Sequence, residues 1–327
     1  MKADIVEEIT RIYGYDNFEI NTAKAPLAPV RPDETKTAID RIKDILVKRF
    51  SLHELHTYVW AYYDEYKDLG IEIEDNIKLI GAVNPNIETI RKSIVPTQLC
   101  QVKLNTSYSS EFGVFEVGRV VNGLKEEGLC NEETKLAVTL FSKKKGVEEL
   151  YFELRDMLAV IADDIKHKDL SFKKMEATHS SQHLRNLNAV LLDGEVIGEI
   201  GLVHPTVSKN IDKKAAIVYA EIDMNLFADC ENASIKYKEP SRYPEMEIDL
   251  SFISDTFEPI ANAIMAQNSP LVKGIKVVDT YRDENGKSVT VRILFSHPDR
   301  TLNSDEVKEV TDAVISDLAK QSIVLKQ

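Results

Sequence analysis

Residues 84–119 join a turn signal, an apolar helical spacing and a glycine-edged strand, and this order restricts the possible folds more than any other stretch of the chain. Asn84–Pro85 predicts a turn, because proline fixes its own φ and pushes the preceding residue toward extended backbone. The helical spacing predicts a short helix ended by a proline, and it consists of Ile87, Ile90, Ile94 and Pro96. The apolar run Gly113–Arg119 predicts a strand. Together these signals indicate a mixed α+β core.

Composition indicates a soluble globular chain and excludes several classes. Of the 327 residues, 43% are hydrophobic and 29% are charged, and no apolar run approaches the roughly 18 residues of a membrane span. The first residues lack the basic and apolar regions of a signal peptide. The three cysteines are widely spaced and odd in number, which predicts reduced thiols of a cytoplasmic protein; they are Cys100, Cys130 and Cys230. The net charge of −13 argues against a broad nucleic-acid-coating surface but not against a local RNA contact.

Residues 4–11 predict a helix whose two sides differ in character. Isoleucines recur on one side, and Gly14 suits the position that follows a helix. Three carboxylates project from the other side at i, i+3 and i+4, and they are Asp4, Glu7 and Glu8. Oxygen clusters of this kind suit Mg²⁺, which takes a few carboxylates and keeps several waters. The alternative is an acidic first turn that the helix dipole stabilises.

The middle of the chain predicts a linker, two helices and a hairpin. After the proline-spaced linker 21–33, residues 34–50 predict a helix with a wide apolar stripe. Residues 151–165 predict a second amphipathic helix. Asp193–Gly194 predicts a tight turn that joins two strands into a hairpin.

From residue 241 the pattern becomes regular and self-contained. Strand, helix, two strands, helix and strand follow in order, and apolar residues alternate in the third strand at Val289, Val291, Ile293 and Phe295. Asn285–Gly286 predicts the turn before that strand, and Asn303 with Glu306 predicts a capping box at the second helix. The order βαββαβ predicts a ferredoxin-like split βαβ fold, which serves many unrelated functions.

Several segments resemble the β subunit of bacterial phenylalanine–tRNA ligase. The central stretch does so in the order of its asparagine–proline turn, Arg91–Ser93 and the strand Phe115–Arg119. The glycine-bracketed strand before His204–Pro205 and the segment Asp279–Tyr281 are also similar to that family. The resemblance covers nearly the whole chain. For the central stretch alone, the alternative is a helix and a strand packed in an unrelated α+β core.

The resemblance implies an α+β fold, in which a non-catalytic, class II synthetase-like antiparallel-sheet core is followed by a ferredoxin-like βαββαβ domain. It divides the chain into the end of a small helical B5-type domain at 1–20, the core at 21–235 and an anticodon-binding domain at 236–327. Residues 34–50 then contribute to a subunit interface, although their stripe suits a core helix equally well. The resemblance also implies that three carboxylates ligate Mg²⁺, with one further family ligand lacking a counterpart here; the three are Asp4, Glu7 and Glu8.

The implied function is that of a β-type subunit of an aminoacyl-tRNA ligase. Such a chain scaffolds a catalytic α subunit, which binds ATP, and contacts the anticodon region of phenylalanine tRNA in a cytoplasmic (αβ)₂ heterotetramer. The family's N-terminal tRNA-binding and editing domains have no counterpart in the chain. No phosphate-binding glycine loop occurs, and Arg119 beside Glu116 has no evident second arginine with which to clamp ATP. We therefore expect no active site in this chain and no membrane association.

Four basic residues are the candidates for phosphate contacts in the C-terminal unit, namely Arg282, Lys287, Arg292 and Arg300. If the alternating apolar residues face the helices, Arg292 lies on the open side of the sheet. Arg282 and Lys287 flank the predicted turn, and Arg300 precedes the second helix. The alternative is that all four are ordinary surface charges.

The chain departs from the family pattern at two informative places. His183 stands without the proline, glycine and arginine that usually follow it, and Ile248 occupies a position where arginine is usual. These departures favour a second hypothesis, a stand-alone non-catalytic paralogue that acts as a dimerisation or RNA-binding module. A third hypothesis, a small-molecule-binding ferredoxin-like regulator, accounts for the C-terminal unit only.

Overall fold

The computed structural model describes residues 1–22, 24–31, 33–73, 76–235, 237, 239, 241–283 and 286–326. The chain separates into two compact units, Met1–Ile235 and Lys236–Gln327. Within the described residues, no helix is both long enough and apolar enough to cross a membrane. The secondary structure is mixed, and the predicted α+β class is confirmed.

The first unit begins with a helix and then builds one large sheet with helices on both faces. Its elements are α1 (Lys2–Tyr13), α2 (Glu34–Lys48), β1 (His53–Glu54), β2 (Trp60–Ala61), α3 (Tyr63–Leu69), β3 (Thr89–Ile90), α4 (Val95–Asn105), β4 (Glu111–Leu124), β5 (Cys130–Ser142), α5 (Val147–Lys166), β6 (Leu170–Lys174), β7 (Gln182–Leu192), β8 (Glu195–Val203), α6 (Pro205–Ile211), β9 (Ala216–Asp223) and α7 (Met224–Asp229). Seven strands form the sheet in the order β1-β4-β5-β9-β8-β7-β6. Every neighbouring pair is antiparallel except β1 with β4.

Alternation along the central strands buries the sheet on both faces. In β5, Leu136 and Val138 enter the core that α2, α5 and α7 cover, whereas Ala137 and Phe141 enter the core under α3, α4 and α6. Successive side chains of a strand point to opposite faces, so one strand supplies both cores. The strand predicted at 113–119 is part of β4 and the helix predicted at 151–165 is part of α5, and both are longer than predicted.

Helix α2 uses its apolar stripe inside its own unit. Asp33 caps the helix by accepting hydrogen bonds from the backbone N–H groups of Thr35 and Lys36. Ala38, Ile42 and Leu46 are buried against the sheet core. Of the two interpretations of residues 34–50, the structure therefore supports the core helix. The linker prediction included Pro32, which lies outside the described residues.

The helix predicted around Ile87 and Ile94 is wrong. Pro85–Ile87 form a single 3₁₀ turn, Thr89–Ile90 pair with β2, and helix α4 starts only at Val95. Pro96 lies in the first turn of α4, where the missing N–H has no partner to lose. The proline therefore opens a helix rather than ending one, and the isoleucine spacing arises from a turn, a strand and a helix start.

The β7–β8 hairpin forms at Asp193–Gly194 as predicted. Both residues have positive φ, 54° and 81°, as a type I′ turn requires. Further along β8, a Cβ placed on Gly198 would lie 2.2 Å from the carbonyl oxygen of Glu221 on β9. Only glycine allows this approach of the two strands.

The second unit consists of β10 (Met246–Ile253), α8 (Glu258–Ala266), β11 (Val272–Asp283), β12 (Gly286–Phe295), α9 (Ser304–Lys320) and β13 (Val324–Leu325). Its sheet order β11-β12-β10-β13 and antiparallel pairs form the predicted ferredoxin-like βαββαβ arrangement. The four alternating residues of β12 are fully buried against α8 and α9. The capping box of Asn303 and Glu306 is also present. The turn residue Asn285 lies outside the described residues.

Candidate functional site

A buried arginine lies on the face of the sheet that α3, α4 and α6 cover. Arg91 follows β3, and its side chain is 1% exposed. Its Nη2 donates to Glu116 Oε1 at 2.9 Å, its Nη1 to Thr57 Oγ1 at 2.7 Å and its Nε to the Arg119 carbonyl oxygen at 3.2 Å. The Thr57 hydroxyl in turn donates to Glu116 Oε2 at 2.7 Å. Protein groups therefore occupy all three guanidinium nitrogens, and Arg91 acts as a structural cation.

Glu116 and Arg119 are close in sequence but do not pair with each other. Glu116 points into the core, whereas Arg119 is 67% exposed and pairs with Glu132 at 3.0 Å. The partner of Glu116 is Arg91, which is distant in sequence. Sequence reasoning missed this pair, because only the register of β4 against the β3–α4 connection brings the two side chains together.

Two more carboxylates lie on the same face of the sheet as Glu116. Glu116 on β4, Glu221 on β9 and Glu199 on β8 form a row of carboxylates across this face. Glu221 on β9 lies directly opposite Glu199 on β8. Glu221 Oε1 accepts hydrogen bonds from the Ser93 hydroxyl at 2.9 Å and the Ile94 N–H at 2.7 Å, and Lys135 lies 3.7 Å from its other oxygen. Glu221 is thus tied to the start of α4.

Glu199 has donors around it but a different charge environment. Its carboxylate accepts hydrogen bonds from Gln182 Nε2 at 2.7 and 2.8 Å and from the Tyr219 hydroxyl at 3.0 Å. Burial raises the pKa of the Glu199 carboxyl, the two donors partly oppose this shift, and the charge of Glu221 adds to it. The charge of the nearby His179 also acts on this carboxylate and lowers its pKa. Burial likewise raises the pKa of Tyr219.

This arrangement is poorly suited to activating a substrate with ATP. Phosphate activation needs cations that can turn toward the phosphate groups. Arg91 and Lys135 are already held by Glu116, Glu133 and Glu221. Within the described part of the chain, no group of three or more His, Cys, Asp and Glu side chains is placed to hold a metal ion. The polar side chains on this face of the sheet therefore form a hydrogen-bonded network that packs the core.

The three carboxylates predicted to bind Mg²⁺ lie on the exposed surface of α1. Asp4 pairs with the amino group of Met1 at 2.6 Å, and Glu8 pairs with Arg11 at 2.5 Å. In the described chain these carboxylates do not converge into a metal-binding group. By themselves Asp4, Glu7 and Glu8 thus do not fit a complete Mg²⁺ site, and ligands from outside the described chain would be needed.

Arg292 lies on the open face of the second unit's sheet, as the alternation of β12 predicts. It sits opposite Asp249 on β10 and Lys276 on β11. Its Nε and Nη2 donate to the two oxygens of Asp249 at 2.7 and 2.8 Å, and its Nη1 lies 2.8 Å from Glu247. The bond to Arg292 lowers the pKa of Asp249. A phosphate at this arginine must therefore share it with two carboxylates.

The other three candidate RNA residues do not join Arg292 in one cluster. Arg282 and Lys287 lie opposite each other where β11 meets β12, and Lys287 donates to the Asp255 carbonyl oxygen at 3.1 Å. Arg300 makes two hydrogen bonds to Glu306, at 2.6 and 2.7 Å. The four residues thus occupy three separate places on the unit.

An exposed aromatic side chain on the open face was not among the predicted contacts. Tyr281 is 59% exposed and pairs with Ser288, which belongs to the same face as Arg292. The ammonium group of Lys326 lies 5.1 Å from its ring centroid. Asp279 lies on the same face, opposite Thr290. The alternation of β11 alone does not reveal this placement, because a register shift occurs between Val277 and Asp279.

Comparison with known proteins gives matches over both units. Residues 20–224 match the family model of the phenylalanyl tRNA synthetase beta chain CLM domain. Residues 241–326 match the family model of the ferredoxin-fold anticodon binding domain. The second match agrees with the βαββαβ arrangement of the second unit.

The chain is also similar to curated proteins named phenylalanine–tRNA ligase beta subunit. It is 28% identical to that of Francisella tularensis over 342 residues, which cover 96% of this chain and 40% of the relative. It is 27% identical to that of Hahella chejuensis over 338 residues, covering 98% and 41%, respectively. The relative from Clostridium acetobutylicum is 22% identical, with 97% and 41% covered. The chain thus spans about two-fifths of the length of these relatives.

Proposed function

Because the chain belongs to the phenylalanyl-tRNA synthetase beta-chain family, we propose that it acts as a β-type subunit of a phenylalanine–tRNA ligase. The observation that carries the proposal is the succession, in one chain, of a beta-chain core and a ferredoxin-fold anticodon-binding domain. In this role the chain supports ATP-dependent attachment of phenylalanine to its tRNA without supplying the active site. The held cations of the core face support the last point.

The open sheet face of the second unit is the proposed contact for the anticodon region of the tRNA. Single-stranded loops are recognised through unstacked bases, and an exposed tyrosine ring offers a base a stacking partner. Tyr281 meets this requirement, and Asp279 on the same face offers an acceptor for a base edge. Arg292 supplies positive charge beside them. We assign Arg282, Lys287 and Arg300 to phosphate contacts that position the tRNA, since Arg282 and Lys287 lie where β11 meets β12 and Arg300 precedes α9.

A loop before the Asn84–Pro85 turn is the proposed contact with the α subunit. The side chains of Ile80 and Val83 are both 103% exposed, and Leu79 beside them is 42% exposed. Neighbouring exposed apolar side chains of this kind commonly mark an interaction surface. Helix α2 is less suited to this contact, because its stripe is buried in the core. The loop, rather than α2, is therefore the main apolar contact with the α subunit in this proposal.

The remaining parts of the proposal concern the assembly. ATP and its Mg²⁺ bind to the α subunit, and the complex is a cytoplasmic (αβ)₂ heterotetramer. Asp4, Glu7 and Glu8 contribute to a separate Mg²⁺ site only if ligands from elsewhere complete it. Residues 1–20 belong to a small helical domain, 21–235 to the synthetase-like core and 236–327 to the anticodon-binding domain.

Co-expression with an α subunit from the same source tests the proposal. We expect a heteromeric complex by sizing, and phenylalanine-dependent pyrophosphate exchange by the complex but not by the chain alone. Ile80→Asp with Val83→Asp should weaken the complex at least tenfold. The control is Met265→Asp, which places the same charge on an exposed apolar residue of α8 and should leave assembly unchanged.

Two results would contradict this function. A folded chain that stays monomeric beside its α subunit would favour a stand-alone paralogue. That alternative draws its support from the segment after Gln182, where the His183 ring accepts N–H groups of Arg185 and Asn186 and the β7–β8 register shifts. Exchange activity of the purified chain alone would instead show that the core retains chemistry of its own.

A further inference from the structure

Three loops meet at one end of the seven-stranded sheet in the first unit. They connect α4 to β4, β5 to α5 and α6 to β9, and they consist of residues 106–110, 143–146 and 212–215. The strands that they adjoin are neighbours, because Ser142 at the end of β5 pairs with Glu111 of β4 and with Ala216 of β9. The three loops therefore leave the sheet side by side.

Hydrogen bonds and an ion pair hold the three loops together. The Lys143 ammonium group lies 2.9 Å from Asp212 Oδ2 and donates to the Thr106 carbonyl oxygen at 3.0 Å. The backbone N–H of Lys143 donates to the Ser110 carbonyl oxygen at 2.8 Å. Asp212 Oδ1 accepts the backbone N–H of Lys214 at 2.8 Å. The three loops thus form one continuous surface.

This surface is rich in ammonium groups. Its lysines are Lys143, Lys144, Lys145, Lys213 and Lys214. Asp212 is the single carboxylate of the three loops, and Lys143 already binds it. Lys145 is paired with Glu111 and Glu153. The other three lysines are exposed, and within the described chain no carboxylate lies within 4.0 Å of their ammonium groups. Since the whole chain has a net charge of −13, this concentration of free positive charge departs from the overall balance.

The loop before β4 adds uncharged groups that suit RNA. Residues 106–110 are a threonine, three serines and a tyrosine, and the Tyr108 side chain is 86% exposed. Lys143 contacts Thr106 and Ser110 on either side of this tyrosine. Hydroxyl and ammonium groups are common donors to phosphates, and an exposed aromatic ring offers an unstacked base a stacking partner. An acidic protein would match the lysines but has no base to stack on the ring, so the surface fits RNA better.

We propose that the lysine cluster, formed by Lys144, Lys213, Lys214 and Tyr108, binds the phosphate backbone of RNA and gives the chain a second contact with tRNA. The inference rests on the proposed function, since tRNA is the RNA that a phenylalanine–tRNA ligase binds. The first contact is the open sheet face of the second unit, so the two contacts belong to different units of the chain. Ammonium groups that neutralise phosphates release the counterions of the RNA, and binding through the cluster therefore depends on salt.

The salt dependence of tRNA binding by the full chain, alone and with its α subunit, tests the lysine cluster. The lysine variant combines Lys144→Gln, Lys213→Gln and Lys214→Gln. It should bind labelled tRNA at least tenfold more weakly at low salt, and its log–log salt slope should be lower by about two units. The matched control removes three exposed lysines elsewhere in the first unit, by Lys125→Gln, Lys173→Gln and Lys174→Gln. The control should bind tRNA as the wild type does.

Two further measurements separate stacking from charge. Tyr108→Ala should weaken binding threefold or more but leave the salt slope unchanged, because a stacked ring releases no counterions. Acetylation of lysines with and without tRNA, read by mass spectrometry, needs no variant. In that measurement tRNA should protect Lys144, Lys213 and Lys214 but not Lys125.

Three outcomes would overturn the inference while the wild type binds tRNA, and they leave the proposed function standing. The first is equal binding by the lysine variant and its control. The second is unchanged binding by Tyr108→Ala. The third is displacement of tRNA by poly-L-glutamate as effectively as by unlabelled tRNA, which would make the cluster a surface for an acidic protein. If the lysine variant does not fold, acetylation decides, and equal acetylation of the cluster with and without tRNA refutes the inference. A wild type that binds no tRNA, alone or with the α subunit, contradicts the proposed function as well.

Discussion

Arg91→Met should destabilise the first unit more than any surface charge change. The variant keeps most of the side-chain length but leaves Glu116, which is 1% exposed, without its cation. Breaking a buried ion pair by removing one partner costs about 3–5 kcal/mol, because an uncompensated charge stays buried. That is a substantial part of the roughly 5–15 kcal/mol that holds a typical domain folded.

A double-mutant cycle separates the buried charge from the loss of packing. Arg91→Met with Glu116→Leu removes both charges, and replacing a buried pair by apolar side chains is often neutral. We therefore expect the double variant to recover most of the stability and the coupling free energy to exceed about 1.5 kcal/mol. Arg119→Met is the control, since its pair with Glu132 is exposed and worth less than about 1 kcal/mol.

Urea unfolding monitored by tryptophan fluorescence measures these effects in the relevant unit. Trp60 is the single tryptophan of the chain, and it pairs with Ile90 immediately before Arg91. Linear extrapolation yields the free energy of unfolding for each variant. A loss below about 1 kcal/mol for Arg91→Met, or a double variant whose loss equals the sum of the single losses, would refute the argument from burial.

Three further predictions follow from contacts in both units. Gly198→Ala should cost about 1–3 kcal/mol or more in urea unfolding because its Cβ meets the β9 backbone. Gly146→Ala, whose Cβ would have nothing within 4 Å, should cost less than about 1 kcal/mol, because it changes only the N-cap of α5. Tyr281→Ala should weaken tRNA binding by about 1–3 kcal/mol at every salt concentration, while Arg292→Ala should lower the log–log salt slope by less than one unit; equal slopes and affinities for both variants and the wild type would exclude this face. The hydrogen bonds from Arg300 and from the Asn303 N–H lower the pKa of Glu306 to about 2. The stabilisation by this carboxylate is therefore present above its ordinary pKa and is lost as pH falls toward 2. In Glu306→Gln the melting temperature of the second unit should depend less on pH between pH 4.5 and about 2, whereas Glu309→Gln on the same helix should leave this dependence unchanged.

Local signals predicted the second unit well. Turn, cap and alternation each act within a few residues, so β12 with its inward Val289–Phe295 and the capping box at Asn303 follow from neighbouring side chains alone. The same holds for the hairpin at Asp193–Gly194, where two positive φ angles select the residues. The order of such elements then leaves few topologies for a unit of this size.

The polar network of the core could not be predicted in this way. Pro96 obeys a local rule too, but proline both ends helices and opens them, and only the packing of α4 decides between the two. Glu199, Gln182 and Tyr219 come from three different strands, and their meeting depends on the register of β7, β8 and β9. The exposure of Arg119 does not follow from its sequence neighbours either, because Glu116 pairs with the buried Arg91 instead. Long-range register therefore accounts for most of what sequence patterns missed.

The outer strand β6 has a consequence for how the protein behaves at high concentration. It is the last strand of the seven-stranded sheet and five residues long, and within the described residues β7 is its only partner. It ends in Lys173 and Lys174, which are both exposed. A strand from another molecule that tried to extend the sheet here would meet a short template and two repelling ammonium groups. At this edge of the sheet, the short strand and its lysines therefore disfavour the pairing of strands between molecules that begins amyloid growth.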